Sequence, residues 1–268
     1  MNKREMIANG AFYPNKKEEI ISFIKNNLLK VSPMEIKAAI APHAGYIYSG
    51  KVAVKTIEQI NPKKEVFLLG PNHTGLGEDL SVYPEGAWKS VLSDVEIDKG
   101  IVEKLTEKSM FKKDVLAHLR EHSLEVELPI LSYFFKEFKI VPIACSLSDL
   151  KALKEAGKFM ASVIRNNHLI DDYLIVTSSD MTHYQPVTVA KEKDNYALEA
   201  ILNLDEDLLY KRVIEEDISM CGVLPTVVML SCIKQLGVNR AKLVDYRSSG
   251  EVSGDFSEVV GYAGVVFS

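Results

Sequence analysis

Cysteine is scarce in this chain: three residues among 268, at Cys145, Cys221 and Cys232. So small and odd a set builds no disulfide framework and suits a reducing, cytoplasmic setting, where a thiol packs, ligates metal or reacts. Basic excess is missing too: 32 Lys+Arg against 37 Asp+Glu leave a net charge of −5. No basic stripe is available for nucleic acid. No apolar run approaches the roughly 18 residues that a membrane helix requires. The charged start at residues 1–6 lacks the apolar segment of a secretory signal. Neither a Pro/Ser-rich tract nor a repeat of fixed period marks a linker or an array. The phosphate-binding loop Gly-x-x-x-x-Gly-Lys-Ser/Thr, a Gly-x-Gly-x-x-Gly turn after the first strand and a Gly-x-Ser-x-Gly elbow are all absent. Nucleotide-driven and α/β-hydrolase chemistries lose ground accordingly.

What is present is an average globular composition, 47% hydrophobic and 26% charged, enough to bury a large core in one domain spanning 1–268. Short β-branched runs at 36–41 (IKAAIA), 65–69 (EVFLL), 139–145 (KIVPIAC) and 173–177 (YLIVT) read as buried strands. Helical periods at 50–60, 98–108, 123–135 and 149–166 alternate with them, the last opened by Ser148 as N-cap. Further helices are expected at 189–202, 206–216 and 222–236, and closing strands at 242–247 and 259–267, with a polar loop at 248–255 between those strands. The alternation predicts an α/β fold, a mainly parallel or mixed central sheet flanked by helices on both faces.

In such sheets, sites form beyond the carboxyl ends of the strands. Of six histidines, three occupy that position: His43 after IKAAIA, His73 after EVFLL, and His183 after YLIVT in SSDMTHY. One loop histidine alone more often hydrogen-bonds at a surface than ligates metal. Three at matching places point to one site. Cys221, in Met-Cys-Gly-Val-Leu-Pro, precedes an expected helix whose macrodipole would lower its pKa and suit a ligand or nucleophile, with plain burial, the commoner fate of a lone cysteine, as the alternative. Cys145 and Cys232 read as packing residues. In EHSLEVE (121–127) the second histidine of a His-Glu-x-x-His zinc site is missing. There His122 turns towards the site while Glu125 and Glu127 decorate a helix start. His118 and His168 read as surface residues.

Together, Gly10–Pro14 (GAFYP), APHAGYIYSG (41–50), LGPNHTG (69–75), EHSLEVELP (121–129), SSDMTHY (178–184), MCGVLP (220–225) and VGYAGVVF (260–267) resemble the Memo family, also called the B component of the AmmeMemoRadiSam system. The resemblance covers nearly the whole chain in the family's order. It implies a fold like that of the class III extradiol ring-cleaving dioxygenases. It also implies a redox metal, iron or copper, on His43, His73 and Cys221, with Asp180, His183 and His122 lining the same pocket. Ring-cleaving enzymes hold Fe(II) with two histidines and a carboxylate. Here the softer Cys221 takes the third position, a set that also suits Cu(I) or zinc, and Asp180 is expected to orient His183 or His43. The leading expectation is metal-dependent redox or oxygen chemistry on a small organic substrate. Two alternatives accompany it. One is a binding or scaffold protein that takes a peptide or small anionic ligand, with Arg120 and Arg247 near the pocket. The other is zinc-type hydrolysis. The family name further implies a functional link to radical SAM and AMMECR-type proteins; neither nucleic acid nor membrane is an expected partner.

Overall fold

The computed structural model of the protein describes residues 3–146 and 148–268. In chain order the strands are β1 (Lys3–Arg4), β2 (Ala38–Ala41), β3 (Glu65–Pro71), β4 (Leu80–Val82), β5 (Ala87–Trp88), β6 (Val95–Ile97), β7 (Lys112–Lys113), β8 (Lys139–Cys145), β9 (Tyr173–Ser178), β10 (Ala241–Ser248) and β11 (Gly261–Phe267). The helices are α1 (Lys17–Asn26), α2 (Lys51–Ile57), α3 (Lys99–Thr106), α4 (Ser123–Phe134), α5 (Leu150–Asn166), α6 (Val187–Leu202), α7 (Glu206–Glu215), α8 (Val223–Gln235) and α9 (Gly250–Ser253).

These strands form one mixed sheet with the order β1-β5-β6-β8-β3-β9-β2-β11-β10, β4 pairing beside β8 and β7 beside β4. At its centre β8, β3, β9 and β2 are parallel, and β11 and β10 close one side antiparallel. A parallel sheet covered on both faces needs continuous apolar strands, which is why Val66, Phe67, Leu68 and Leu69 of β3 are all buried. On one face α8 lies against β8, β3, β9 and β2, with α5 and α7 packed onto it. Enclosed in this way, it is buried from Pro225 to Ile233 and carries no polar stripe. The other face is covered by α2 and α4.

Several expectations need correction. Helix α5 is capped by Asp149, whose carboxylate accepts from Ala152 N–H, and not by Ser148. The polar loop at 248–255 contains the short helix α9. The segment between β3 and α4, read only for its helix, also supplies β4, β5, β6 and β7, and α1 precedes β2. Strands of two or three residues carry too little period-2 signal to be read locally. His118 is buried, with its ring against Tyr83 and Trp88. Glu125 and Glu127 are buried on α4 rather than displayed at its start. As expected, β2, β3 and β9 deliver their carboxyl ends to one edge of the sheet.

Candidate metal centre

His43 follows β2 and is buried. Its backbone N–H donates to Asp180 Oδ1 at 2.9 Å, and Ala44 N–H reaches the same oxygen at 3.3 Å. Asp180 thus holds the peptide that carries His43 and touches neither the His43 nor the His183 ring by a hydrogen bond, so its expected ring-orienting role is not what the geometry shows. The His43 ring is fixed instead by Ser178 at the end of β9, with Nδ1 to Oγ 2.8 Å. With Nδ1 so engaged, Nε2 faces Cys221 Sγ at 3.4 Å.

His73 follows β3. Its backbone N–H donates to Glu121 Oε2 at 2.6 Å and its Nδ1 lies 3.0 Å from Glu121 Oε1. A buried carboxylate behind an imidazole fixes ring orientation and raises ligand basicity, the usual support for a metal-bound histidine. Burial opposes charge on this pair, but the mutual hydrogen bond and attraction prevail: His73 is raised above its ordinary pKa and Glu121 falls to about 2. His122 stacks on His73 with centroids 5.1 Å apart, meets His43 edge-on at 5.6 Å and is backed by Phe12 at 4.3 Å. Its Nδ1 is 3.6 Å from Glu121, too far for a hydrogen bond. Burial, then the charge of the neighbouring His73, depresses His122 despite Glu121, which favours the neutral ring.

Cys221 stands just ahead of Gly222, the N-cap of α8, and accepts Asp180 N–H at 3.2 Å. Gly222 is required here: a Cβ would stand 2.3 Å from Ser179 Cβ and 2.7 Å from Ser178 O. The expected lowering of the thiol pKa is reversed. Burial first, and the Asp180 charge second, push it well up, so the group is a thiol. His183 donates its backbone N–H to Ser219 Oγ at 2.7 Å, and its Nδ1 lies 2.9 Å from Ser219 O. Because a carbonyl only accepts, Nδ1 carries a proton, which leaves Nε2 as the nitrogen turned to other partners. The following Tyr184 is 73% exposed at φ +54°, an uncommon backbone setting for a bulky side chain.

The donor atoms of His43, His73 and Cys221 lie within 4.8 Å of one another. Two ligands on one tetrahedral ion stand about 3.5 Å apart, so the Sγ–Nε2 separation of 3.4 Å fits a soft N/S metal site. A second grouping, His73, Glu121 and His122, shares His73. His122 borders the three donors directly, and Asp180 and His183 border them through the β9 loop. Arg120 is exposed, and Arg247 is committed to Asp245 and Glu251 at 3.1 and 2.8 Å. The supporting residues Glu121, Ser178, Ser219 and Phe12 received no role from sequence. Only the adjacency of Glu121 to His122, and of Ser178 to Asp180, hinted at one.

The chain matches the family model described as Memo-like protein over residues 4–266. A MEMO1 family protein of Aquifex aeolicus is 42% identical over the full length of both chains (100% of each). One of Methanosarcina barkeri is 40% identical over 98% of this chain and 99% of its own, and one of Methanocaldococcus jannaschii is 38% identical over 99% of each. Among solved structures, that of an uncharacterized Escherichia coli K12 protein aligns with a TM-score of 0.53 at 11% identity, covering 87% of this chain and 100% of that one, a likeness of fold alone. By the family match and by these relatives, the chain belongs to the Memo family.

Proposed function

We propose that the protein is a metal-dependent enzyme of redox or oxygen chemistry acting on a small organic substrate, with iron or copper held by His43, His73 and Cys221. The observation that carries this reading is the donor set itself. Two imidazoles and a thiol converge within 4.8 Å, and each imidazole has its far nitrogen tied to a buried partner, Ser178 or Glu121. When bound, such a metal supplies one-electron chemistry and activation of oxygen.

The chain's own residues supply the rest. His122 and His183 Nε2 are the bases positioned to take or return a substrate proton. Asp180 ties the His43 backbone, held by its carboxylate, to the Cys221 sulfur, which accepts its backbone N–H. An open, largely apolar hollow lined by Phe12, Phe23, Tyr46, Ile47 and Tyr48 adjoins the Phe12–His122 wall and suits an aromatic or aliphatic body. The binding-protein alternative is weakened by Arg247, whose guanidinium is already paired with two carboxylates.

The test is elemental analysis of protein purified without oxygen, repeated for His73→Ala and Cys221→Ala with circular dichroism as the check on folding. Wild type should carry near-stoichiometric iron or copper, and both variants should lose most of it. Unchanged metal in both folded variants overturns the ligand assignment. Zinc in place of iron or copper shifts the reading to hydrolysis at the same three residues.

A further inference from the structure

Beneath His43 lies a carboxyl group that neither the metal site nor the proton-transfer residues use. Glu127, on α4, is fully buried. Its Oε1 is 3.1 Å from Ser178 Oγ, and its Oε2 has no hydrogen-bond partner among the described residues. Ser178 Oγ is therefore a hub with three polar neighbours: Glu127 Oε1, the backbone carbonyl of Ser123 at 2.8 Å and His43 Nδ1 at 2.8 Å.

A hydroxyl owns one hydrogen and two lone pairs. Ser123 O can only accept, so the hydroxyl hydrogen must go to it; otherwise two oxygens stand 2.8 Å apart with no proton between them. Both remaining contacts must then donate to Oγ. His43 does so if Nδ1 carries its proton. Glu127 does so only as a carboxylic acid. An ionised Glu127 would set an anion against a hydroxyl lone pair, in a place where no cation among the described residues pairs with it.

We propose that Glu127 is a positioning residue, held as a neutral acid, that donates to Ser178 Oγ and so anchors the hydroxyl against which His43 rests with Nδ1 protonated and Nε2 bare towards Cys221. The accounting leaves a single arrangement of three hydrogens for three contacts. Without the Glu127 donor, Ser178 keeps its hydrogen on Ser123 O and still accepts from Nδ1, but one of the three contacts that fix the hydroxyl beneath His43 is gone. The tautomer is kept, and what is lost is the fixed placement of the imidazole. Burial pushes the Glu127 carboxyl up to about 8, in the same direction. Asp180 and Tyr46 are the titratable groups whose charge is felt across this packing. The consequence for metal binding rests on the reading of His43 as a ligand; the protonation of Glu127 and the tautomer do not.

The experiment compares wild type, Glu127→Gln and Glu127→Met, all metal-free. Infrared spectroscopy at neutral pH should show in wild type the carbonyl stretch of a protonated, water-shielded carboxyl group, and Glu127→Gln should remove it. Nitrogen-15 NMR of labelled histidine, with the His43 signal identified by its loss in His43→Gln, should report the Nδ1–H form in wild type. Glu127→Gln, whose amide still donates to Ser178, and Glu127→Met, in which Ser123 O still takes the Ser178 hydrogen, should both keep that form. Zinc titration should find Glu127→Gln within about twofold of wild type and Glu127→Met weaker by about tenfold or more, the scale of an outer-shell loss. Absence of the carboxyl band in wild type overturns the proposal, and so does a folded Glu127→Met that binds zinc as tightly as wild type. If Glu127→Met does not fold, the wild-type band and the tautomer in Glu127→Gln still decide it. Because the spectra use metal-free protein, they judge Glu127 whether or not His43 binds zinc.

Discussion

His118 shows how far one side chain can depart from its local reading. A histidine with no apolar periodicity around it reads as a surface residue, yet the ring is buried between Tyr83 and Trp88 while Arg4 crosses the Trp88 face at 4.2 Å. Burial first, and the Arg4 charge second, lower its pKa from 6.5 to about 4. A depressed histidine refuses a proton that the unfolded chain accepts, so its contribution to stability is complete above pH 6.5 and is lost as pH falls towards 4. The window corresponds to roughly 3 kcal/mol. Urea midpoints measured across it should fall with pH in wild type, and His118→Gln should flatten that slope. An unchanged slope in the variant would show that His118 is not the group responsible. The site has the same division between legible and hidden. His43, His73 and His183 could be found because each follows a β-branched run in a turn-rich loop. The partners Glu121, Ser178 and Ser219 could not, because nothing local tells which way a polar side chain turns. Cys221 was legible as a candidate, but its pKa was not: a helix terminus is a local feature, whereas burial and the Asp180 charge that outweigh it are tertiary.

At the scale of elements, the site exists because the start of α8 is pressed against the end of β9. Gly222 N–H donates to Ser179 Oγ at 3.0 Å, and the space for a side chain is filled by Ser178 and Ser179. Gly222→Ala should therefore push the β9 loop, which carries both Ser178 and Asp180, away from Cys221. Overpacking of this kind costs about 1–3 kcal/mol. Metal binding should weaken along with stability, because the displaced residues set His43 and Cys221. Chemical denaturation and metal titration of the same variant separate the two effects, and lost stability with wild-type metal affinity would refute the coupling. The contact also explains what could be read of the fold. The four central strands were legible because burial on both faces demands unbroken apolar runs, and α8 was legible as an unusually apolar helix. The short strands β1, β5 and β7, two residues each, are defined by their neighbours and have no sequence pattern of their own.

Across the whole molecule, the first described strand reaches the candidate metal centre through a buried ion pair. Arg4 donates to the carbonyls of His118 and Glu121 at 2.8 and 2.7 Å and to Glu125 Oε2 at 2.6 Å. Glu125 in turn accepts from the backbone of Ile7 and Ala8 and from the Tyr13 hydroxyl at 2.7 Å. Residues 3–13 are thereby fastened to the segment that carries Glu121 and His122, and Phe12 is brought onto the His122 ring at 4.3 Å. Arg4 and Glu125 are 121 residues apart in sequence, which is why neither could be paired before the fold was known. Removing one member of a buried pair strands the other charge and costs about 3–5 kcal/mol, whereas replacing both is much milder. Arg4→Met should accordingly destabilise the protein strongly, and adding Glu125→Gln should recover part of the loss. The recovery should be partial because the Ile7, Ala8 and Tyr13 donors still find an acceptor in the glutamine oxygen but no longer a charge. Strict additivity in this double-mutant cycle, read from denaturation midpoints, would mean that the two residues act separately. A positive coupling energy would make the amino-terminal segment part of the scaffold that holds the His73–Glu121–His122 wall in place.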